Sequence, residues 1–521
     1  MDFLHINDEK IYAGTRPIML RGIGLGGWFL PEGYMWQFYT DCDRPRRIEA
    51  LIETLCGKEY AQSFWQRYAA SFITSDDIAW IADQGLNSIR LPLNARHLFN
   101  VDENGHVTFN EDTLAWVDRC IDWCRRHRIY VFIDMHAAPG GQTGQNIDDS
   151  ASDYPELFTE PQYADALIKM WYLIAERYTD EPVIGGYDLL NEPLPKWHRN
   201  LNHKLWPLYK KLIAAIRKID KRHIIVLEGA HWATDMSVFD DITHDDVKDQ
   251  ILLSFHKYWS HPDQESIEHY KLTAARLKIP LWMGEGGENN LEWYTHLFPM
   301  LEYSDIGWCF WTYKKMETPN VPVTFPRPAD WDKIIAHIKG HGLLTQQEAK
   351  KIMDDFLQCI ATPTYHVNVI NALLRRPSLK IPATAYNWED IHIIRDRSVE
   401  HFRVSSHASL HFADGHTGEP DWRRYNGEAQ PPDQKIRLHL FENDRVGYLV
   451  RTASREKLKI EVEKVETEGY GTLDVQVADL ETANLPEHRL YPSNLPQDCC
   501  ITLSCTKGDL LVDSITVCEE V

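Results

Sequence analysis

The sequence predicts an α/β protein in two parts, a closed barrel of strand–helix units and a C-terminal antiparallel sandwich. Eight short apolar runs occur between about residues 18 and 312, with longer amphipathic stretches between them. Near-continuous apolar runs are typical of strands buried on both faces of a parallel sheet. Eight strand–helix units within about 300 residues favour a (β/α)8, or TIM, barrel. After about residue 401, short alternating strands separated by turn residues favour an antiparallel β-sandwich.

The barrel strands and helices are predicted from different periodicities. The segment 112–127 is typical of the predicted helices, since its apolar residues Leu114, Val117, Cys120, Ile121 and Cys124 recur with a period near 3.6. Two later helices, over residues 352–357 and 367–374, are expected to brace the barrel. The predicted strands are residues 18–23, 88–91, 130–135, 184–190, 224–227, 251–255, 281–283 and 308–311.

A linker is predicted where the texture of the sequence changes, at Pro377, Pro382 and the polar run 387–390. The chain is therefore expected to hold a barrel domain over residues 1–378 and a jelly-roll-like sandwich domain over residues 395–521. Turns are expected at Glu468-Gly469 and over residues 507–509. The predicted sandwich strands are residues 402–404, 435–441, 446–450, 457–462, 472–477, 499–505 and 510–517.

The net charge of the chain limits the kinds of partner that it can bind. Lys and Arg number 55 and Asp and Glu number 77, for a net charge of −22. A chain this acidic repels phosphate backbones and anionic membrane surfaces, so no nucleic-acid or membrane partner is expected. Residues 1–8 have neither the basic nor the apolar region of a signal peptide, which predicts a cytoplasmic protein. The sequence does not indicate the oligomeric state.

Ten cysteines in 521 residues are far too few for a disulfide scaffold. Cys120 and Cys124 lie four residues apart on a predicted helix, with no matching pair at the spacing of a zinc site. We therefore expect buried, reduced thiols and no metal.

Polar and aromatic residues close the predicted barrel strands, where the active sites of such barrels lie. The set contains two glutamates on different strands, together with an arginine, two histidines and aromatic rings. Its members are Arg90, His136, Asn191, Glu192, His256, Tyr258, Glu285 and Trp311.

Two facing carboxylates with aromatic neighbours suit glycoside hydrolysis. One carboxylic acid protonates the leaving oxygen, and the other attacks the sugar or activates water. Arg90 is expected to keep one carboxylate ionised by lowering its pKa, while burial keeps the other protonated. Trp311 can stack on the apolar face of a sugar. This mechanism implies no metal or organic cofactor.

Residues 20–312 resemble the cellulase-like barrels of glycoside hydrolase family 5, in clan A. The family has Arg, His, Asn-Glu, His, Tyr, Glu and Trp at these strand ends, in that order, and the chain matches each position. The resemblance implies that Glu192 is the acid/base, that Glu285 is the nucleophile and that anomeric configuration is retained.

Two local segments look most like the exo-β-1,3-glucanases, namely residues 22–32 and 134–150. The resemblance implies that Glu32, Asp148 and Asp149 bind hydroxyls in a pocket for one terminal sugar, although each could instead cap a loop. The chain has Gly24 where the family has Asn, and Asp149 where the glucanases have Asn. The second change leaves glucose specificity open.

The sequence therefore predicts a retaining, exo-acting β-glycosidase, β-glucosidase-like, that acts on short oligosaccharides or glycosides. A β-mannosidase, a furanosidase and an endo-acting β-glucanase remain alternatives, with a non-catalytic carbohydrate-binding protein as a remote one. The sandwich resembles a carbohydrate-binding module, but a structural role is at least as well favoured. Further candidates for lining the sugar pocket are Trp28, Trp36, Glu228, His231, Trp232 and Trp259.

Overall fold

A computed structural model describes residues 1–38, 42–452, 457–465, 471–479 and 498–519. The chain divides into two compact units. Unit 1 comprises Met1–Lys257, Tyr270–Gly286 and Gly307–Tyr365. Unit 2 comprises Tyr258–His269, Gly287–Ile306 and His366–Val521. Two segments that follow barrel strands in the chain therefore belong to unit 2, while the domain boundary between residues 378 and 395 stays a prediction.

Eight parallel strands, β1 to β8, form a closed barrel in chain order. Each overlaps one of the predicted apolar runs, and the predicted barrel is confirmed. All eight strands are buried along their whole length, as expected for a sheet covered on both faces. They are Arg21–Gly24 (β1), Ser88–Asn94 (β2), Tyr130–Ala137 (β3), Ile184–Asp188 (β4), Ile224–Glu228 (β5), Ile251–Lys257 (β6), Leu281–Gly287 (β7) and Gly307–Trp311 (β8).

Helices follow the barrel strands in the chain. The helix Glu111–His127 buries the five apolar residues that predicted it. The predicted bracing helices are Gln346–Ile360 and Val367–Leu374. The other helices are Pro45–Cys56, Lys58–Phe72, Ser75–Asp83, Ala95–Leu98, Pro161–Tyr178, Leu205–Arg217, Ala230–Ala233, His244–Val247, Glu268–Leu277, Leu291–Tyr303 and Trp331–Ile338, with 3-10 turns at Gly33–Trp36, Glu156–Phe158, Lys196–Lys204, Met236–Phe239, Glu265–Ile267, Ala383–Ala385 and Pro432–Gln434.

An N-terminal hairpin that the sequence analysis did not predict packs on the barrel interior. Its strands Leu4–Asn7 and Lys10–Ala13 are joined through Asp8 and Glu9, which both have positive φ, as a two-residue hairpin turn requires. The hairpin buries Leu4 and Ile11 against apolar side chains of the barrel strands. The remaining short strands of unit 1 are Arg16–Pro17, Phe99–Val101, Val107–Phe109, Lys314–Met316, Val323–Phe325 and Thr364–Tyr365.

Unit 2 contains two antiparallel sheets, which are consistent with the predicted β-sandwich. The strands are Leu379–Pro382 (β9), Trp388–Asp390 (β10), Ser409–Phe412 (β11), Ile436–Phe441 (β12), Arg445–Arg451 (β13), Leu458–Val465 (β14), Thr472–Asp479 (β15), Asp498–Lys507 (β16) and Asp509–Glu519 (β17). In the five-stranded sheet the neighbouring strands are, in order, β9, β17, β12 and β11, and β14 also pairs with β17. In the four-stranded sheet they are β10, β13, β16 and β15. Alternate residues of β12 are buried, which is the pattern of a strand with one core face.

The predicted linker is wrong, because its residues form strands of the sandwich. Pro382 ends β9, which lies at the edge of its sheet, where the missing N–H of proline is tolerated. Trp388 lies in β10 opposite Gly447, and a Cβ at Gly447 would come within 2.0 Å of the indole. The glycine therefore makes room for a large ring in the sheet.

The strand predicted over residues 402–404 is also wrong. His401 and Arg403 have φ values of 56° and 52°, which no strand adopts. Phe402 is instead a buried core residue that packs on Trp422. The turn predicted at Glu468-Gly469 lies outside the described residues, whereas Gly508 joins β16 to β17 with a φ of 65°.

All ten cysteines lie in the described residues and are free thiols, and eight are buried, as predicted. In the described part of the chain, no helix combines the length and the apolar character needed to cross a membrane.

Candidate active site

Arg90 on β2 is a fully buried guanidinium surrounded by carboxylates from four other barrel strands. Its nitrogens lie 3.1 Å from Asp134, 2.8 Å from Asp188, 3.1 Å from Glu228 and 2.6 Å from Glu285. Burial alone would lower the pKa of Arg90, but the four carboxyl groups raise it well above its usual value. The guanidinium is therefore a fixed positive charge inside the barrel.

A chain of hydrogen bonds connects Arg90 to the aromatic side of the site. Arg90 Nη2 donates to Asn191 Oδ1 at 2.9 Å, and Asn191 Nδ2 lies 3.3 Å from His136 Nε2. The other nitrogen of His136 lies 2.6 Å from Asp134 Oδ2. The imidazole stacks on the Trp311 indole, with centroids 5.2 Å apart and planes at 5°. Each polar side chain in this series of hydrogen bonds is thus oriented by its neighbour.

Glu192 follows β4 and is held from two directions. Its backbone N–H donates to Glu228 Oε2 at 2.7 Å, and its Oε1 lies 2.7 Å from His256 Nδ1. Its φ is 47°, a left-handed conformation that costs a non-glycine residue about 1–3 kcal/mol. The charge-assisted bond to Glu228 offsets part of that cost and fixes the place of the carboxylate.

Glu285 on β7 faces Glu192 across His256. Its Oε1 accepts from Arg90 at 2.6 Å, and its Oε2 lies 3.5 Å from His256 Nδ1. One oxygen each of Glu192 and Glu285, with one nitrogen of His256, lie within 4.8 Å of one another. The two predicted catalytic carboxylates therefore converge on one point.

Charge in the site is divided between groups whose pKa values move apart. Burial opposes the charged imidazole, but Glu228 and Glu285 raise the pKa of His256 well above its usual value. Burial likewise opposes ionisation of Glu228, yet His256 and Arg90 bring its pKa down to about 2. Burial and the charge of Glu228 raise the pKa of Asp188 well above its usual value, against the opposing effect of Arg90.

The pKa of Glu285 differs from the expectation for a residue beside an arginine. Burial raises it, and this outweighs the opposing effects of His256 and Arg90, so the pKa lies above the usual value. Arg90 therefore acts in the predicted direction but does not dominate, because Glu285 is itself buried and Arg90 is shared among other carboxylates.

In the described part of the chain, Glu192, His256 and Glu285 form one group of three side chains that could hold a metal ion. A ligating imidazole must be deprotonated. Nδ1 of His256 faces Glu192, and its Nε2 lies 3.1 Å from Glu228, so both nitrogens face carboxylates and the raised pKa favours the protonated ring. The donor set suits a buried imidazolium better than a metal, although the absence of a metal requirement stays a prediction.

Glycines allow the Trp311 ring to lie close to the backbone of β1 and the segment after it. A Cβ at Gly24 or at Gly26 would come within 2.6 Å of the indole. Trp311 Nε1 also donates to the hydroxyl of Tyr34 at 3.2 Å. These contacts explain why glycine occupies position 24, where the family has asparagine, and they fix the ring that was predicted to form the sugar floor.

Asp148 is fully buried and engaged within its own loop. Its Oδ2 accepts from the Thr143 backbone N–H at 2.7 Å, the Thr143 hydroxyl at 2.8 Å and the Gly144 N–H at 2.9 Å, while its Oδ1 accepts from Ser150 N–H at 2.9 Å. Burial raises its pKa, and these bonds oppose the rise. The geometry favours the loop-capping alternative for Asp148.

Asp149 and Glu32 lie beside the same loop. Asp149 is ion-paired to Arg96 at 2.6 Å and to Arg46 at 3.3 Å, and it accepts from Asn94 at 3.0 Å. Glu32 is buried and accepts from Asn146 at 3.2 Å. The structure thus assigns Asp149 to anchoring the loop and leaves Glu32 as the better candidate of the two for sugar hydroxyls.

Tyr258 directly follows β6 and belongs to unit 2, where its ring lies 5.4 Å from that of Trp259. Two tryptophans weighed as sugar contacts are core residues. Trp28 is buried and donates to Ala69 O, and Trp36 is buried among other aromatic rings. Trp259 remains 37% exposed.

The sequence analysis did not single out Asp188 as a site residue, and it underrated Glu228. Both end barrel strands and both contact Arg90 directly. Their positions in the sequence could have identified them, because Asp188 is the last residue of β4 and Glu228 is the last residue of β5. An acidic residue at that position, opposite a buried arginine, could have been read as its counter-charge.

Aromatic side chains from the segments after β4 and β5 form a partly exposed cluster in unit 1. Trp197 is 57% exposed and lies edge-on to Trp232, with ring centroids 5.5 Å apart. His231 and Trp232 both have left-handed backbones, and His231 N–H donates to the carbonyl of Leu194, two residues after Glu192. The cluster therefore lies on the Glu192 side of the site.

Comparison with known proteins identifies the family. A family model described as Cellulase (glycosyl hydrolase family 5) matches residues 54–317, about half of the chain. The chain belongs to glycosyl hydrolase family 5. The match spans β2 to β8 and therefore includes the predicted catalytic set of this family 5 chain.

Named relatives of the family 5 chain differ in activity. A β-xylosidase of Phanerodontia chrysosporium is 35% identical over 242 residues, 46% of this chain and 49% of the relative. Endoglucanase C of Acetivibrio thermocellus is 27% identical over 320 residues, 49% of this chain and 88% of the relative. A sporulation-specific glucan 1,3-β-glucosidase of Saccharomyces cerevisiae is 27% identical over 312 residues, 56% of this chain and 67% of the relative. The chain thus spans about half the length of the β-xylosidase.

Proposed function

We propose that this family 5 protein is a retaining, exo-acting β-glycosidase that removes terminal sugars from short oligosaccharides or glycosides. The observation that carries the proposal is the approach of Glu192 and Glu285, whose nearest oxygens lie within 4.8 Å of each other. Retaining glycosidases hold their two carboxyl groups about 5–5.5 Å apart, whereas inverting enzymes need about 6.5–9.5 Å to admit a water. The separation supports double displacement.

In the proposed mechanism, Glu192 donates a proton to the glycosidic oxygen while a Glu285 oxygen attacks the anomeric carbon. The leaving group departs with that proton, and a glycosyl–enzyme ester remains. Glu192 then takes a proton from water, which attacks the same carbon and releases Glu285. Arg90, 2.6 Å from Glu285, stabilises the carboxylate that is restored in this second step.

Exo action is supported by the loop that follows β3. Arg44 is buried and donates to Ser150 O at 3.2 Å, and Asp148 caps the loop from within. A loop held this firmly can form a permanent wall for a single sugar. The glucan 1,3-β-glucosidase and the β-xylosidase among the relatives agree in name with exo action. β-Glucosides are the first substrates to test, then β-mannosides and furanosides.

An endo-acting β-glucanase is the second candidate, because Endoglucanase C matches this chain over 88% of its own length. The exposed Trp197 and the half-buried Trp232 on the Glu192 side would then stack on the leaving-group sugars of a longer chain. The products distinguish the two, since an exo enzyme releases monosaccharides from the first time point and an endo enzyme releases a range of oligosaccharides.

The test is hydrolysis of a panel of 4-nitrophenyl glycosides by the wild type, Glu285→Gln and Glu192→Gln. We expect Glu285→Gln to abolish turnover. Glu192→Gln should slow oligosaccharides by roughly 10²–10⁴-fold but spare kcat/KM for aryl glycosides, because an activated leaving group needs no proton in the first step. The anomeric configuration of the first product, followed by NMR, should be retained.

The matched control is Glu317→Gln, since this carboxylate lies outside the predicted catalytic set and pairs with Gln37. The proposal would be overturned if Glu285→Gln kept full activity, or if the first product had the inverted anomeric configuration. Saccharide binding without hydrolysis across the panel would instead favour the non-catalytic alternative.

A further inference from the structure

Unit 2 contains a cavity of about 480 Å³ that the predicted catalytic set does not use. Its walls come from the segment 258–269, which follows β6 in the chain, and from the segment 419–423, which precedes β12. Both segments belong to unit 2. The volume falls within the range of about 300–1,000 Å³ that small-molecule sites occupy.

An exposed aromatic ring forms one wall of this cavity. Trp259 lines the cavity and is 37% exposed. The Tyr425 ring packs on Trp259 edge to face, with centroids 4.8 Å apart and planes at 62°, and holds the indole in place. The part of the indole that stays exposed presents apolar surface to a ligand in the cavity.

Polar groups line the rest of the cavity. Asp421 and Arg423 are largely exposed and pair with each other at 2.8 Å. Glu419 Oε1 lies 3.2 Å from His261 Nε2. Trp422 also lines the cavity, and its buried Nε1 has no acceptor among the residues that the structure describes. The segment 419–423 therefore supplies both hydrogen-bond donors and hydrogen-bond acceptors to the cavity.

The cavity is built before any ligand arrives. Asn289 Nδ2 donates to the carbonyl of Trp422 at 2.7 Å, and Asn290 Nδ2 donates to that of Glu428 at 3.0 Å. Trp259 Nε1 donates to the carbonyl of Glu288 at 2.8 Å, next to these asparagines in the chain. Both walls are therefore tied to the segment 288–290, which reduces the entropy lost on binding.

We propose that this cavity is an accessory saccharide-binding site of unit 2. A pyranose has apolar C–H faces that stack on aromatic rings and equatorial hydroxyls that bond to carboxylates and guanidinium groups, and the two walls match these two kinds of surface. The inference rests on the proposed function only in that it takes the ligand to be a saccharide.

Other ligands match the walls less well. Glu419 and Asp421 would repel a phosphate or another anion, and the exposed charges leave little apolar area for a lipid chain. A neutral, polyhydroxylated ligand can donate hydrogen bonds to both carboxylates, and its binding does not bury a charge of its own.

The test is titration calorimetry of the full chain carrying Glu285→Gln, so that bound sugar is not cleaved. Laminaritetraose, cellotetraose and mannotetraose are the probes. We expect at least one of them to bind at two sites per chain. Adding Asp421→Ala or Arg423→Ala should weaken the second site at least tenfold and leave the first unchanged, because both side chains line the cavity. Ile394→Ala is the control, because this side chain is 72% exposed in the same unit and does not line the cavity.

A single site for all three probes would overturn the proposal, and so would two sites that persist unchanged in both double variants. Because Asp421 and Arg423 are exposed, these variants are expected to fold, which circular dichroism checks. Two sites without hydrolysis of any glycoside by the wild type would defeat the proposed function and leave the accessory site standing. Hydrolysis with one binding site would defeat the accessory site alone.

Discussion

Single residues in this site act either through their charge or through the space that a small residue leaves for a neighbour. Arg90 meets four carboxyl groups, and the pKa values of three of them, Asp188, Glu228 and Glu285, respond to burial as well as to the guanidinium. At Gly24 and Gly26 the decisive property is the absence of a side chain, since either Cβ would collide with Trp311. Both effects can be tested by one substitution each.

Gly24→Ala should displace Trp311, because the new Cβ would lie 2.6 Å from the indole. We expect kcat/KM to fall by about 10–100-fold, as a displacement near 1 Å does at other sites, and stability to fall by about 1–3 kcal/mol through overpacking. Steady-state kinetics and urea unfolding measure the two effects. Gly418→Ala is the matched control, since the nearest atoms there are 3.7 Å away. Equal kinetics of the two variants would contradict the role given to Gly24.

His256→Asn should move the acid limb of the pH–activity profile. Glu285 must be ionised to attack, so activity is lost as the pH falls through its pKa. Burial raises that pKa and the positive charge of His256 lowers it. Removing the charge therefore raises the pKa of Glu285 further, and the acid limb should move to higher pH.

The profile of kcat/KM for a 4-nitrophenyl glycoside measures this movement. His439→Asn is the control, because His439 is paired with Asp509 in unit 2. An acid limb that stays in place, or moves to lower pH, would contradict the charge assignment.

At the scale of elements, Arg375 joins three segments of unit 2. It follows the helix Val367–Leu374 with a φ of 44° and donates from two nitrogens to the carbonyl of Thr295, at 3.1 and 2.8 Å, on the helix Leu291–Tyr303. It also donates to Ala385 O and Asn387 Oδ1, which lead into β10. Burial lowers its pKa to about 9, and its acceptors are neutral oxygens.

Arg375→Ala should therefore leave several buried acceptors without a donor. We expect a loss of about 3 kcal/mol or more in the stability of unit 2, since unsatisfied buried groups cost about 1–3 kcal/mol each. The midpoint of urea unfolding, followed by circular dichroism, measures the change. Lys459→Ala, at an exposed position of β14, should change stability by no more than about 0.5 kcal/mol. Equal midpoints for the two variants would refute this role of Arg375.

At the scale of the whole molecule, the ten free cysteines report on burial across both units. Eight are buried, and only Cys359 and Cys518 are partly exposed. Burial also raises the pKa of Cys359, which slows its reaction. We expect iodoacetamide to label at most these two in the native protein, as counted by mass spectrometry. The control in guanidinium should reach ten, and native labelling of further cysteines would contradict the described packing.

Much of the fold follows from local pattern, and the exceptions have physical causes. The apolar runs predicted all eight barrel strands because both faces of a parallel strand are buried. The linker prediction failed because proline tolerates an edge strand and because Gly447 admits the Trp388 ring, and neither fact is visible in the residues of the linker itself. The segment 402–404 alternates like a strand, yet it turns at Arg403.

The sequence by itself determined the barrel, the two glutamates and their neighbours, because strand order and strand ends place those side chains at one end of a closed sheet. Only the tertiary structure decided what each side chain contacts. It bonded Asp148 within its own loop, paired Asp149 with Arg96, brought Asp188 and Glu228 to Arg90, and placed Trp259 beside Tyr425. The physical reason is that burial, charge pairing and ring packing depend on residues far apart in the chain, whose approach no local pattern records.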